Sequence, residues 1–415
     1  MLRKRLILTT AALAAALPLA GQQPPPEPHD PIVAADQKIL AEVAEHSEQM
    51  ENLRTLTDVI GARLTGTAAT RRANEWTAER FRAYGLANVH LESWTIPHSW
   101  QRGTARARVV APVERALDVQ AAGWTINTAG PVRGPLVYVK AETKEELEAY
   151  RGKLRGALVI LGEPNKRERV TERPLQPKPY KPEPNFEAQR KFGQEREAFL
   201  RDEGVVGLLR DSDKSFGLFN MSSAGRDFNP SLIPTAFTTP ESYDLLWRLL
   251  QKEKNVEVEL TIEGCAFSDG PVEVFNTVAE IPGSEKPDEI VVVGAHLDSW
   301  DLANGATDNG TGTSVILEAA RVLRKLDLKP KRTLRFILFT GEEQGLHGSK
   351  AYVEAHKSEL DKISAAIVHD GGTGRVDTLA LQGNPQVYDI VKKMLAPLRQ
   401  MIGLEELSLR SISGS

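Results

Sequence analysis

The chain has 415 residues, of which 41% are hydrophobic and 26% are charged, and this is the composition of a globular protein with a core. The length suggests about two to three domains. The formal net charge of −4 argues against a nucleic-acid-binding protein, which is usually basic, so we expect no nucleic-acid partner. Cys265 is the only cysteine, which excludes an internal disulfide and predicts a buried thiol.

Residues 1–21 have the pattern of a cleavable signal peptide: a basic start, an apolar run and an exit of small residues. The apolar run is shorter than the ~20 residues that a membrane-spanning helix needs. Gln22 follows where a lipoprotein would carry a cysteine. We therefore predict export to the periplasm or the medium, with no membrane attachment after cleavage.

The composition and the predicted secondary structure change along the first half of the mature chain. Residues 22–35 form a Pro-rich linker that we expect to be unstructured. Residues 36–121 are predicted to be the first part of a catalytic domain, mainly helical to about Tyr84 and followed by an alternating strand. Residues 122–264 contain short strands separated by turns and predict a separate β-rich module. Within it, the charged and Pro-rich stretch 163–185 is predicted to be an exposed arm.

Residues 265–415 predict the second part of the catalytic domain. Continuous apolar strands alternate with helical periodicity, which indicates an α/β fold with a mixed sheet flanked by helices. The predicted strands are 289–296, 332–340, 363–370 and 376–382, and the predicted helices are 315–326, about 343–356 and 385–401.

Acidic residues and one histidine follow the ends of three successive strands in this second part. In an open α/β sheet, ligands bind in the crevice at the carboxyl ends of the strands. An imidazole with several carboxylates suits zinc, and one carboxylate can bridge two ions. The sequence therefore predicts a metal-dependent hydrolase. The candidate site residues are His296, Asp298, Asp308, Glu342, Glu343 and Asp370.

Each residue type has a reason to be there. Asp308 lies in a Gly-rich turn, which makes it the candidate to bridge two ions. Glu342 and Glu343 are adjacent and their side chains diverge, so one can bind metal while the other accepts a proton from water. Asp298 lies two residues past His296 and could fix its tautomer. Singly, each feature is ordinary turn or helix-end chemistry, but together and in order they favour a metal site.

These segments resemble a known family. GAHLDSWD, GATDNGTG, FTGEEQGLHGS and VHDGG resemble the co-catalytic di-zinc exopeptidases, which include secreted bacterial aminopeptidases, glutamate carboxypeptidase II and carboxypeptidase Q. The segment IGARLTG resembles the amino-terminal part of the same enzymes, and residues 122–264 resemble their inserted protease-associated domain. The HLDSWD form together with the insert is most similar to the carboxypeptidase Q branch.

The resemblance implies a role for each matching position. His296, Asp308 and Asp370 would bind one zinc ion, and Asp308 with Glu343 would supply two of the three protein ligands of another. Glu342 would be the general base that activates a metal-bridged water. The implied activity is that of a secreted exopeptidase acting on peptides or dipeptides, with a homodimer as a possible assembly.

The resemblance also implies that Asp298 orients His296. The chain departs from the family pattern in one respect, because the resemblance implies that a histidine carboxy-terminal to Asp370 completes the second zinc site. No histidine follows His369 in this sequence, and His347 is expected to lie at the surface or behind the ligands. We therefore expect that the sequence is a fragment that ends before this ligand.

Two alternatives remain open at this point. Glutaminyl cyclases resemble the family with a single zinc but without the inserted module. Transferrin receptor resembles it as a binding protein without metal chemistry. The retained ligands and Glu342 argue against the second alternative.

Overall fold

The computed structural model describes residues 31–165, 186–253, 255–374, 379–382 and 384–402. The predicted signal peptide and most of the predicted charged arm lie outside these residues. Within the described ranges, no helix combines the length and the apolar character that crossing a membrane would require.

The elements are numbered in chain order. The strands are β1 (Ala87–Ile96), β2 (Trp100–Gln101), β3 (Thr104–Ala111), β4 (Arg115–Leu117), β5 (Val119–Ala121), β6 (Val132–Tyr138), β7 (Leu158–Ile160), β8 (Gly207–Asp211), β9 (Thr235–Thr238), β10 (Glu257–Glu263), β11 (Ala266–Phe267), β12 (Val272–Ile281), β13 (Lys286–His296), β14 (Arg332–Phe339) and β15 (Ile363–Val368). The helices are α1 (Pro31–His46), α2 (Gln49–Arg54), α3 (Ala68–Ala83), α4 (Lys144–Glu148), α5 (Phe186–Asp202), α6 (Pro240–Lys252), α7 (Thr311–Lys325), α8 (His347–Ala355) and α9 (Tyr388–Ile402).

A five-stranded mixed sheet in the order β1-β12-β14-β13-β15 positions the predicted site. β13 is parallel to both of its neighbours, with Val293 opposite Phe336 of β14 and Ile367 of β15. β12 runs antiparallel to β1 and β14. The Val-rich sequence of β13 suits a strand between two others. The predicted α/β fold with a mixed sheet is confirmed.

Helices cover both faces of this sheet. Phe81 of α3 and Ile316 of α7 pack with Phe336 in one cluster of buried side chains. Tyr352 of α8 packs with Ile337 in a second cluster on the other face. Fully burying such a side chain contributes about 1.5–3 kcal/mol, so the two layers together hold the strand ends in place.

The second large sheet has eight strands, in the order β4-β3-β10-β6-β7-β8-β9-β5. It begins at Thr104 and so includes three strands that precede the boundary predicted at residue 122. The reason is long-range pairing, because β3 pairs antiparallel with β10, as in Ala107 opposite Leu260. The division of the chain into domains remains a proposal. Cys265 is buried and unpaired, as predicted.

The predicted helix 343–356 begins four residues late, at His347. The backbone of Leu346 is left-handed, with φ of 63°, and this conformation interrupts a helix. The amide of Leu346 donates to the carbonyl of Glu342 at 3.0 Å, which closes a turn instead. Glu342 and Glu343 therefore lie in a turn between β14 and α8.

Two further expectations differ from the structure. The linker predicted at 22–35 is helical from Pro31 onward, because proline suits a first helical position and Glu42 of the same helix pairs with Arg321 at 2.7 Å. The strand predicted at 376–382 is absent from its described part, residues 379–382, where Leu381 lies in an irregular segment that closes by a turn to Asn384.

Candidate metal centre

Three parallel strand ends converge at one edge of the five-stranded sheet. His296 is the last residue of β13, Glu342 and Glu343 follow β14, and Asp370 follows β15. Asp308 lies in the segment Ala306–Gly310 that leads into α7, and its own backbone is not helical, with φ of −121° and ψ of 99°. Because β13 is parallel to β14 and β15, the segments after all three strands lie at the same edge.

The ring of His296 lies at the centre of the cluster and is 2% exposed. Its Nε2 atom lies 3.0 Å from Asp308 Oδ1 and 3.2 Å from Asp370 Oδ1. Glu342 Oε2 lies 3.8 Å from the same nitrogen. Two carboxylates and a ring nitrogen thus face one point, and a third carboxylate lies beside them.

The donor atoms fit a metal ion. His296, Asp308 and Glu343 each offer a ligand atom within 4.8 Å of the other two. Ligands ~2.0–2.1 Å from a tetrahedral ion lie about 3.3 Å apart, close to the separations of Asp308 and Asp370 from the ring nitrogen. Nitrogen and carboxylate oxygen are also the ligand types that zinc accepts. The residues present therefore fit the ion that the sequence predicted.

Electrostatics favour a cation at the same place. Burial raises the pKa of Glu343 to about 9, helped by the charges of Asp298 and Asp308. Burial and neighbouring carboxylates likewise raise the pKa of Glu342 to about 7. Burial alone lowers the pKa of His296, but its carboxylate partners outweigh that effect and raise the pKa well above its usual range. The directions of these three pKa shifts indicate a cluster with an excess of negative charge, which a bound cation would offset.

Asp298 connects two of the strand ends. Its side chain is fully buried, and one oxygen accepts a hydrogen bond from Thr65 Oγ1 at 2.9 Å. Its other oxygen accepts from the backbone amide of Glu342 at 3.3 Å. The Nδ1 atom of His296 lies 3.1 Å from the backbone oxygen of Asp298 and 3.5 Å from its carboxylate. Asp298 therefore holds the Glu342 turn and the imidazole together.

Arg63 is a supporting residue that the sequence analysis did not single out. Its guanidinium is fully buried and donates to the carbonyls of Leu297 at 2.7 Å, Gly305 at 2.8 Å and Asn304 at 3.1 Å. Burial lowers its pKa to about 10. Only one feature of the sequence indicated its importance. Arg63 lies in the segment 60–66, which as a whole resembles the amino-terminal part of the family.

Two further histidines near these strand ends, His347 and His369, are not part of the donor cluster within the described residues. His347 stacks on Trp94 with ring centroids 6.4 Å apart and packs edge-on against Phe228 at 4.8 Å. The backbone carbonyl of His369 accepts a hydrogen bond from Asn309 Nδ2 at 2.8 Å. Its ring Nδ1 is buried without a hydrogen-bond partner in the described part of the chain.

This fold and this donor cluster together define a metal-dependent hydrolase of the α/β class. The family model described as "Peptidase family M28" matches residues 276–406. Carboxypeptidase Q from Bos taurus is 31% identical over 352 residues, which cover 84% of this chain and 70% of that protein. The chain belongs to peptidase family M28, and the predicted family and the predicted metallopeptidase class are confirmed.

Solved structures agree with this assignment. A peptidase M28 precursor from Shewanella amazonensis superposes with a TM-score of 0.70 at 27% identity, covering 89% of this chain and 81% of that chain. A zinc aminopeptidase from Bacillus subtilis has the same fold, with a TM-score of 0.62 at 22% identity, covering 89% and 80%.

Proposed function

We propose that this chain is an exported zinc exopeptidase that removes an end residue from peptides or splits dipeptides. The observation that carries the proposal is the contact of the His296 ring nitrogen with Asp308 and Asp370, with Glu342 beside them at 3.8 Å. Similarity to carboxypeptidase Q supports the peptide substrate. The signal-peptide pattern of residues 1–21 supports export, and amino-terminal sequencing of the secreted form would check it.

The ligands divide between two positions in this proposal. His296, Asp308 and Asp370 would hold one ion, and Asp308 with Glu343 would contribute to another. When bound, zinc supplies Lewis-acid polarisation of the substrate carbonyl and lowers the pKa of a nearby water. The carboxylates bring negative charge to the cation, and Asp298 keeps the imidazole oriented through its Nδ1 atom.

Glu342 would move the proton. Its carboxylate lies at the rim of the donor cluster and has no hydrogen-bond donor from another side chain within the described residues. It would accept a proton from the attacking water and pass it to the nitrogen of the leaving amine, as hydrolysis of an amide requires. Its backbone amide, anchored to Asp298, keeps the carboxylate at that rim.

The decisive experiment replaces the proposed base without changing its size. Glu342→Gln should retain zinc but lower kcat about 10²–10⁴-fold, because an amide cannot accept the proton. Steady-state hydrolysis of a dipeptide series, with metal analysis of each variant, measures both effects. Glu354→Gln, at an exposed acid of α8 that pairs with Lys357, is the matched control and should leave both unchanged. A kcat for Glu342→Gln above about a third of that of the parent would exclude Glu342 as the base.

A further inference from the structure

A cavity of about 450 Å³ lies in the eight-stranded-sheet part of the molecule, away from the donor cluster. Its walls come from α5, β8 and the segment 223–226, together with residues of the loop after β7, of β9 and of α6. Each of these three elements contributes one arginine to the wall: Arg196 from α5, Arg210 from β8 and Arg226 from the segment.

None of the three guanidinium groups forms an ion pair within 4.0 Å of a carboxylate in the described part of the chain. Arg196 lies over the ring of Phe192 at 5.5 Å, and Arg210 lies over Phe237 at 5.0 Å. These ring contacts position the two groups and leave most of their N–H donors available. The Nε atom of Arg226 is buried with no hydrogen-bond partner among the described residues.

Three acids lie in the same wall, and two of them accept hydrogen bonds from backbone amides. Glu197 accepts a hydrogen bond from the backbone amide of Leu232 at 3.0 Å. Asp211 accepts one from the amide of Asp213 at 3.0 Å. Glu163 also lines the wall.

The cavity places like charges close together. Burial lowers the pKa of Arg196 and of Arg210, and the charge of Arg226 adds to both shifts, while the carboxylate of Glu197 opposes them. Water reaches the Arg210 side chain although protein atoms surround it, as is expected of a cavity wall. Arginine stays protonated in proteins, so the three guanidinium groups repel one another, and the carboxylate of Glu197 offsets only part of that repulsion.

We propose that this cavity binds a multivalent oxyanion, of which phosphate and sulfate are the simplest examples. Guanidinium forks match such oxygens geometrically and form charge-assisted hydrogen bonds with them. Three forks from three separate elements can contact three oxygens of one anion. The site is independent of the proposed peptidase activity.

A bound anion would also fix a segment that extends to the metal centre. Two residues after Arg226, Phe228 packs on Trp124 at 5.4 Å and on His347 at 4.8 Å. His347 begins α8, directly after the turn of Glu342. Anion binding should therefore order the contact between the two sheets as well as the cavity.

Calorimetric titration of the zinc-loaded chain with phosphate, sulfate and citrate, in chloride of matched ionic strength, tests the proposal. We expect saturable binding of at least one of these anions, and the strongest of them identifies the preferred oxyanion. Arg196→Met and Arg226→Met should each weaken it at least about tenfold, since a charged hydrogen-bond partner is lost. Arg201→Met is the matched control on α5, because Arg201 pairs with Asp202 at 2.8 Å, and it should bind as the parent does.

Thermal unfolding separates this site from two other sources of anion effects. Phosphate and sulfate stabilise many proteins by exclusion from the surface, without saturation and equally in every variant. Binding at the metal centre would be lost in His296→Ala and kept in Arg196→Met. Either of these patterns, or no saturable binding by the parent chain, would overturn the proposal. In anion-free buffer Arg196→Met should melt no lower than the parent, because its removal relieves repulsion.

Discussion

The guanidinium of Arg63 joins segments that are far apart in the chain. Its N–H groups donate to the carbonyls of Leu297 and Gly305, which lie on either side of the loop after β13. Its role is therefore structural and not chemical. The backbone of Arg63 also exchanges hydrogen bonds with Ser299, at 3.0 and 3.1 Å. Since His296 and Asp308 flank this loop, Arg63 fixes the separation between two proposed ligands.

Replacing Arg63 tests this positioning role. Arg63→Met should lower the free energy of unfolding by at least about 3 kcal/mol, because several buried carbonyls lose their donors. It should also weaken zinc binding, measured by competition with a chelator. Arg63→Lys keeps the charge without the fork and should be intermediate. Arg72→Met, at an exposed arginine of α3, is the control. Unchanged stability and zinc affinity in Arg63→Met would contradict the role.

At the scale of single residues, the sequence predicted side chains that share a strand end and missed those that act on backbone. His296 and Asp370 could be found because they lie at the ends of parallel strands, and Asp308 because its Gly-rich turn leads into the next helix. The structure places the two aspartates within 3.2 Å of the His296 ring nitrogen. Arg63 could not be found this way, because its partners are backbone carbonyls, and those of Leu297 and Gly305 are more than 230 residues away in the chain. A backbone carbonyl can accept a hydrogen bond whatever side chain its residue carries, so the amino-acid sequence does not reveal such a partner.

At the scale of elements, the two sheets meet through a layer of aromatic rings and the ion pair of Arg102 with Asp301. Trp124 packs on Trp100 at 5.8 Å and on Trp300 at 6.4 Å. Arg102 donates from two nitrogens to both oxygens of Asp301, at 2.6 and 2.8 Å. Asp301 lies three residues after Asp298, so this contact couples the eight-stranded sheet to the proposed metal centre.

A double-mutant cycle measures how strongly the ion pair joins the elements. Arg102→Ala and Asp301→Ala should show a coupling free energy of about 1.5–3 kcal/mol in chemical unfolding, because the pair is bidentate and mostly buried. The exposed pair of Arg106 and Glu263 gives the matched cycle and should couple by about 1 kcal/mol at most. Equal coupling in the two cycles would show that the contact does not anchor the sheets.

Element prediction succeeded where the hydrophobic pattern was long and failed where a turn decided the boundary. β13 and α7 lie where they were predicted and end within one residue of the predicted ends, because their apolar side chains repeat regularly, although they begin three and four residues earlier than predicted. The start of α8 depended on the left-handed backbone of Leu346, a non-glycine residue whose identity does not predict that conformation. The early start of the second sheet depended on the pairing of β3 with β10, which is distant in sequence.

At the scale of the whole molecule, the count of ligands limits how much metal the chain can hold. The donor cluster contains one histidine within the described residues, and His347 is held away from it by Trp94 and Phe228. His296, Asp308 and Asp370 form a three-ligand set, the number usual for a catalytic zinc. Among the described residues, a second ion would share Asp308 and add Glu343, which leaves it one ligand short of that number.

We therefore expect the metal-stripped 415-residue chain to bind one zinc ion tightly and a second one much more weakly. Isothermal titration with zinc should give one tight site per chain, and His296→Ala should abolish it. His347→Ala is the control and should leave the tight site unchanged, since the ring packs against aromatic side chains instead of facing the carboxylates. Two tight sites in the parent, reduced to one by His347→Ala, would instead show that this histidine turns inward to complete the second position.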